Sequence, residues 1–247
     1  AVNHSAVTIN NTLFNTNRAT ATAGSSTASS ATALAEGGAL YIDASGSLTI
    51  GSDSSFSGNY VISSTTVAAL GTGSSTAQGG AIYATGSSGS TTTLAIEGIS
   101  FSGNFAVSAS TTDGSTVGGT ANGGAIFADH YVALTVESSG YSASSFSGNY
   151  TATFSTSPCG NGGAIYVAAN ASLIIQRGTH ATPIDSAVFS GNGISGSTTT
   201  TVNGGAIYNA GTSTISNAEF TSNKVTANGG AIANVQGVLT VHGSIFG

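Results

Sequence analysis

Charge is what this sequence has least of. Only 5% of its 247 residues are charged, three Lys+Arg against nine Asp+Glu, where globular domains carry roughly 25%. So few cations argue against a phosphate-binding surface and against a nucleic-acid partner. Trp and Met are absent, and Glu, Lys, Arg and Gln are rare, so helices have little to be built from. Two prolines leave the backbone free to pair in ladders. Cys159 is the single cysteine, which excludes an internal disulfide. No apolar run approaches the roughly 20 residues of a membrane helix, so no transmembrane segment is expected. The sequence begins at Ala1 with no recognisable leader, the form expected of a mature secreted chain.

What is present repeats. Gly-Gly-Ala-Ile/Leu occurs as Gly37-Gly38-Ala39-Leu40, Gly79-Gly80-Ala81-Ile82, Gly123-Gly124-Ala125-Ile126, Gly162-Gly163-Ala164-Ile165, Gly204-Gly205-Ala206-Ile207 and Gly229-Gly230-Ala231-Ile232. The intervals are 42, 44, 39, 42 and 25 residues. A second motif, Phe-x-x-Asn, alternates with it: Phe14–Asn17, Phe56–Asn59, Phe101–Asn104, Phe146–Asn149, Phe189–Asn192 and Phe220–Asn223, with Phe246 at the end. Between them lie short period-2 runs such as Val7-Thr8-Ile9, Leu48-Thr49-Ile50, Leu94-Ala95-Ile96, Leu134-Thr135-Val136, Leu173-Ile174-Ile175 and Leu239-Thr240-Val241, which read as strands with one aliphatic face.

The shortest unit, Gly204 to Asn228, defines a minimal rung of 25 residues with three short strands and three corners. Such a rung cannot bury an apolar face alone, but stacking copies at about 4.8 Å buries a continuous core. The expected fold is therefore all-β, a right-handed single-stranded parallel β-helix of about seven rungs, forming one domain over 1–247. The longer intervals then contain insertions between Phe-x-x-Asn and the next Gly-Gly, among them Tyr60–Gln78, Phe105–Asn122 and Tyr150–Asn161. Their Ser, Thr, Gly and Ala content predicts loops projecting from one edge of the solenoid.

Each motif residue has a physical role in this reading. Paired glycines permit positive φ and close backbone stacking at a corner. The Ile or Leu that follows points inward. The next residue, an aromatic in Tyr41, Tyr83, Phe127, Tyr166 and Tyr208, faces outward by alternation and forms a ladder. The Phe of each Phe-x-x-Asn stacks on its equivalents inside, and the Asn sits at a left-handed corner, its amide bonding to the rungs above and below.

Candidate chemistry is sparse. The acids Glu36, Asp43, Asp53, Glu97, Asp113, Asp129, Glu137, Asp185 and Glu219 are dispersed, whereas glycan-cleaving sites need clustered acids. Glu97 and Glu137, each following a middle strand, make the best pair. His4, His130, His180 and His242 fall at different rung positions, and alternation would place Asp129 and His130 on opposite faces. No metal-ligand spacing or nucleophile elbow occurs. The expectation is no enzyme, no cofactor and no metal. Thr198–Thr201 and Thr91–Thr93 do not recur at one rung position, as an ice-binding Thr array would require. Asn3, Asn10, Asn149 and Asn170 head glycosylation sequons, of which Asn149 is expected to be buried.

The sequence enters and leaves in mid-rung with no capping element, and bare rungs offer unpaired backbone groups. This predicts end-to-end stacking of copies into a fibre, through Val7, Ile9, Phe14 and Asn17 on one side and Ile232, Leu239, Val241 and Phe246 on the other. The alternating motifs also resemble the repeats of chlamydial polymorphic outer membrane proteins, over nearly the whole chain from Phe14 to Phe246. That resemblance implies a β-helical passenger of an autotransporter, exposed at the cell surface and adhesive toward a host receptor or glycan. The expected function is an extracellular structural subunit that stacks into a filament, with the surface adhesin as the alternative and a glycan-acting enzyme as the third reading.

Overall fold

A computed structural model describes residues 6–26, 30–43, 46–68, 71–112, 117–140, 142–155, 157–178, 186–196 and 202–247. The strands form five parallel sheets, and each rung contributes one strand to each sheet it reaches.

Three sheets enclose the main core. The middle sheet has seven strands: Ala6–Ile9, Ser47–Ile50, Thr92–Glu97, Val132–Glu137, Ser172–Gln176, Thr212–Ser216 and Val238–His242. The Phe sheet also has seven: Leu13–Asn15, Ser55–Ser57, Ser100–Ser102, Ser144–Ser147, Ala187–Ser190, Glu219–Thr221 and Ile245–Phe246. The Gly-Gly sheet has six: Leu40–Ile42, Ile82–Ala84, Ile126–Ala128, Ile165–Val167, Ile207–Asn209 and Ile232–Asn234. The fold is the parallel β-helix expected from the repeats.

Register is strict. Phe14, Phe56, Phe101, Phe146, Phe189, Phe220 and Phe246 pair in order. Their rings stack at centroid spacings of 4.5 to 5.0 Å. Leu40, Ile82, Ile126, Ile165, Ile207 and Ile232 form a second column. These two columns and the middle-sheet aliphatics make one continuous core. Burying a side chain of this size is worth about 1.5–3 kcal/mol.

The Asn column closes the next corner. Asn104 accepts from the backbone N–H and the amide of Asn59 at 3.0 and 2.9 Å. Its own amide donates to Phe56 O at 3.0 Å and to Asn149 Oδ1 at 2.9 Å. The pattern runs from Asn17 through Asn223, so each interior Asn of this ladder has its hydrogen bonds met without water. The left-handed residue at this corner is not the Asn, as its tolerance for that conformation suggested, but the residue before it: Gly58, Gly103, Gly148 and Gly191, and Thr16 and Ser222 in the flanking rungs. That residue turns the chain, which frees Asn to keep an extended rung-to-rung ladder.

The two glycines of Gly-Gly-Ala divide their labour. The first, such as Gly79, has φ +66°. The second, Gly80, does not need positive φ but has no room for a Cβ. One placed there would lie 2.0 Å from Gly124 O and 2.5 Å from Phe105 O. The second glycine is thus where the rung crosses behind the residue that follows Phe-x-x-Asn, and the crossing forms a narrow neck.

Beyond the neck, the expected loops are strands, and this corrects the sequence reading. An outgoing sheet contains Arg18–Ser25, Tyr60–Val67, Phe105–Thr112, Tyr150–Phe154 and Gly193–Gly196. A return sheet contains Ala31–Glu36, Gly73–Gln78, Val117–Asn122, Ser157–Asn161 and Val202–Asn203. The insertions do leave every rung at one edge, but as a two-sheet arm that shortens along the solenoid. In the minimal rung only isolated bridges remain, at Lys224 and Asn228. The facing sides of the arm are small. Val61, Ala77 and Ala106 pack together, and hydroxyls bond across the gap, Ser75 Oγ to Ser108 Oγ at 2.6 Å and Ser63 Oγ to Ala33 O at 2.9 Å. Alternating Ala, Ser and Thr therefore serve as a thin core.

Three substitutions test this account. Asn104→Ala should lower unfolding free energy by about 3 kcal/mol, because it strands buried donors and an acceptor on both neighbouring rungs. Gly80→Ala should prevent folding of the central rungs, whereas Gly103→Ala, with nothing within 4 Å of its Cβ, should cost only the left-handed penalty of about 1–2 kcal/mol. Denaturant unfolding followed by circular dichroism measures all three.

Candidate functional site

With the interior filled by side chains, any function rests on the outer columns. Tyr41, Tyr83, Phe127, Tyr166 and Tyr208 lie in register and stack at 4.6 to 5.4 Å. They point away from the main core, as alternation requires, but they are not freely exposed. Tyr83 and Phe127 are 6% and 3% accessible, and only Tyr41, at 53%, is open. The rings cover one another, and the ends of the return strands flank them. A second ladder of amides runs along those ends, from Asn228 through Asn203 and Asn161 to Asn122. The Asn161 amide also contacts Cys159 Sγ at 3.4 Å.

Polar groups gather around the first rings of this column. The Tyr83 hydroxyl donates to Asp129 Oδ2 at 2.8 Å, and Thr85 Oγ1 donates to the same oxygen at 3.3 Å. Asp129 Oδ1 lies 2.6 Å from His130 Nδ1. The expectation that Asp129 and His130 face opposite ways is thus overturned. Both follow the three-residue strand Ile126–Ala128, in a turn where strand alternation no longer applies. Burial, the bond to Asp129 and the charges of Asp129 and Glu36 push the Tyr83 phenol well above its ordinary range. Burial, then the neighbouring Tyr208 and Cys159, does the same to Tyr166. Burial also raises Glu36, as does the nearby charge of Asp129, with the Tyr83 hydroxyl partly opposing them.

The other candidates are placed as follows. Glu97 and Glu137 are register partners, and the next position in the column is Gln176. Gln176 donates to Glu137 Oε1 at 2.6 Å, so the column changes from acid to amide after two rungs. No group of three or more His, Cys, Asp or Glu placed to hold a metal ion occurs among the described residues. His4, His180, Asp113, Asp185, Asn3 and Thr198–Thr201 lie outside the described residues. Asn149 is fully buried in its ladder, so its sequon offers no acceptor in the folded chain. No helix among the described residues is long and apolar enough to cross a membrane.

Sequence reasoning missed one outer column. The residue after each Phe-x-x-Asn is Arg18, Tyr60, Phe105, Tyr150, Gly193 or Lys224. Tyr60, Phe105 and Tyr150 stack at 4.8 and 5.0 Å, and all three are half-buried on the outer side of the neck. The fixed offset from the motif was a usable signal, hidden because these positions were assigned to loops.

The raised phenols carry a pH consequence. Their folded pKa values lie above the unfolded value of about 10, so the folded chain holds protons that the unfolded chain releases. Stability from these groups is full below about pH 10 and declines as pH rises further. In an alkaline titration followed at the tyrosinate absorbance band, the folded chain should lag behind the urea-unfolded chain. The lagging part should appear together with loss of β-sheet signal.

Four segments, residues 53–85, 98–129, 143–168 and 217–235, match the Chlamydia polymorphic membrane protein repeat. Each match begins before a Phe-x-x-Asn or at its rung and ends past the next Gly-Gly-Ala, the span that crosses the neck. No curated protein and no solved structure matches the chain. The chain is a parallel β-helix in which four segments match the Chlamydia polymorphic membrane protein repeat.

Proposed function

We propose that this β-helix is the surface-displayed, adhesive passenger of an autotransporter-like outer-membrane protein, acting by contact and not by catalysis. The observation that supports the reading most is that the four repeat matches each span one Phe-x-x-Asn and the following Gly-Gly-Ala, three of them on successive rungs. The outer columns add to it. They present partly covered aromatic rings, with Tyr41 open, and hydroxyls with very little charge, a surface suited to many weak contacts along one rod. Apart from Glu36, Asp129 and His130 near Tyr83, the acids and histidines of the described residues are dispersed, which suits a binding role better than turnover.

Beads coated with the 247-residue chain should adhere to cultured epithelial cells, and soluble chain should compete with them. Adhesion equal to that of beads carrying an unrelated β-solenoid would refute the reading.

End-to-end stacking is the second reading. It is favoured by the strict in-register pairing of every column, the same pairing that one copy would need to continue another. A partner copy would continue the ladders of Phe14 and Phe246 with the same geometry. Sedimentation velocity over rising protein concentration should then reveal a growing series of oligomers, whereas a single monomer boundary would count against it.

A further inference from the structure

The column beyond Phe-x-x-Asn has one missing ring. Its members Arg18, Tyr60, Phe105, Tyr150, Gly193 and Lys224 are held in register by continuous parallel pairing. Three of them are stacked rings. At one end the Arg18 guanidinium lies 5.8 Å from the Tyr60 ring centroid, so a cation closes the stack. At the other end Lys224 stands two levels from Tyr150, and the level between is Gly193, which has no side chain. Two of the three cations of the whole chain thus sit at the two ends of this one column.

A ladder with one rung's ring removed leaves about 10 Å, two strand spacings, between Tyr150 and the Lys224 level. That is the thickness a single inserted ring needs. An open groove of about 370 Å³ occupies this place, lined by Tyr150, Gly193, Ser195, Lys224 and Thr226 among others, with no acid among the described residues that line it. Its size is at the small end of the roughly 300–1,000 Å³ typical of small-ligand sites. One face of Tyr150 is covered by Phe105, and the other looks onto the vacant level. Ser195, Lys224 and Thr226 are exposed at the rim.

The lining specifies its occupant. The free face of Tyr150 takes a flat, apolar ring face. Ser195 and Thr226 supply hydroxyls to a hydroxylated edge. Lys224, with no acid among the described residues of the lining, takes a negative group. An aromatic side chain would use only the first of these and a simple phosphate only the last. We propose that this slot binds a carboxylated pyranose, a hexuronate unit of an acidic glycan, with its C–H face on Tyr150 and its carboxylate at Lys224. The proposal deepens the adhesive reading by naming its ligand class, and it rests on that reading.

The test titrates the full chain with a glucuronate-containing hyaluronan tetrasaccharide and with neutral cellotetraose, following chemical shifts of Tyr150 and Lys224. The acidic oligosaccharide should bind at least tenfold more tightly. Gly193→Tyr restores the missing ring. A Cβ at Gly193 would lie 3.0 Å from Lys224 O, a contact relieved by a few tenths of an ångström. This variant should lose binding at least tenfold while its melting temperature holds or rises. Lys224→Gln, at an exposed site, should reduce acidic binding to the neutral level and leave stability unchanged, which keeps the test valid if the tyrosine variant folds poorly. Equal binding of the two oligosaccharides, acidic binding unaffected by both variants, or tighter binding of a tryptophan-bearing peptide would overturn the proposal. Cell adhesion without uronate binding would refute the slot alone. Uronate binding by a chain that does not adhere would refute the adhesive reading alone.

Discussion

Every feature of this molecule depends on equivalent residues lying directly above one another at the strand-to-strand distance. That constraint makes a ladder of buried Asn side chains favourable. Each amide finds its donor and acceptor one rung away, so the polar group loses nothing on burial. The same constraint turns a Phe every 26–45 residues into a stacked column and makes the second glycine of Gly-Gly-Ala obligatory from Gly38 to Gly205, because a Cβ there would collide with the backbone of the next rung. With a single ion pair among the described residues, the molecule holds together through repeated, satisfied backbone and amide bonds around an aliphatic interior.

The three-sheet core was legible because its signals are strong and local. Paired glycines, a buried Phe and an Asn recur in strict alternation, and no other architecture gives all three a purpose. The arm was not legible, for a physical reason. Its two sheets face each other across a thin gap that only Ala, Gly, Ser and Thr can fill, and that composition is also the composition of loops. A faint signal was present in Ala19-Thr20-Ala21-Thr22-Ala23, whose period of two matches alternating burial in the strand Arg18–Ser25. Small residues carry so little hydrophobic contrast that the alternation does not register against a loop reading.

The outer columns show the limits of alternation as a rule. It placed Tyr83 and Phe127 on the outer face correctly, yet it could not say that neighbouring rings and the return strands would bury them. It failed for Asp129 and His130, because a three-residue strand ends before them and the turn brings both side chains together. It also gave no weight to the position after Phe-x-x-Asn, although that position carries three stacked rings and two cations. The surface chemistry of a solenoid is therefore read best by column, collecting residues at a fixed offset from the repeat motif, and a glycine in a column of rings becomes as informative as a ring.

The distance between two residues far apart in sequence but close in the stack tests the central constraint most directly. Ser57 and Thr221 occupy one column through Ser102, Ser147 and Ser190, four levels apart. Spin labels at these two positions should give a narrow distribution centred near the roughly 19 Å expected for four strand spacings, broadened only by the label arms. A broad distribution, or one centred well beyond that distance, would contradict in-register stacking.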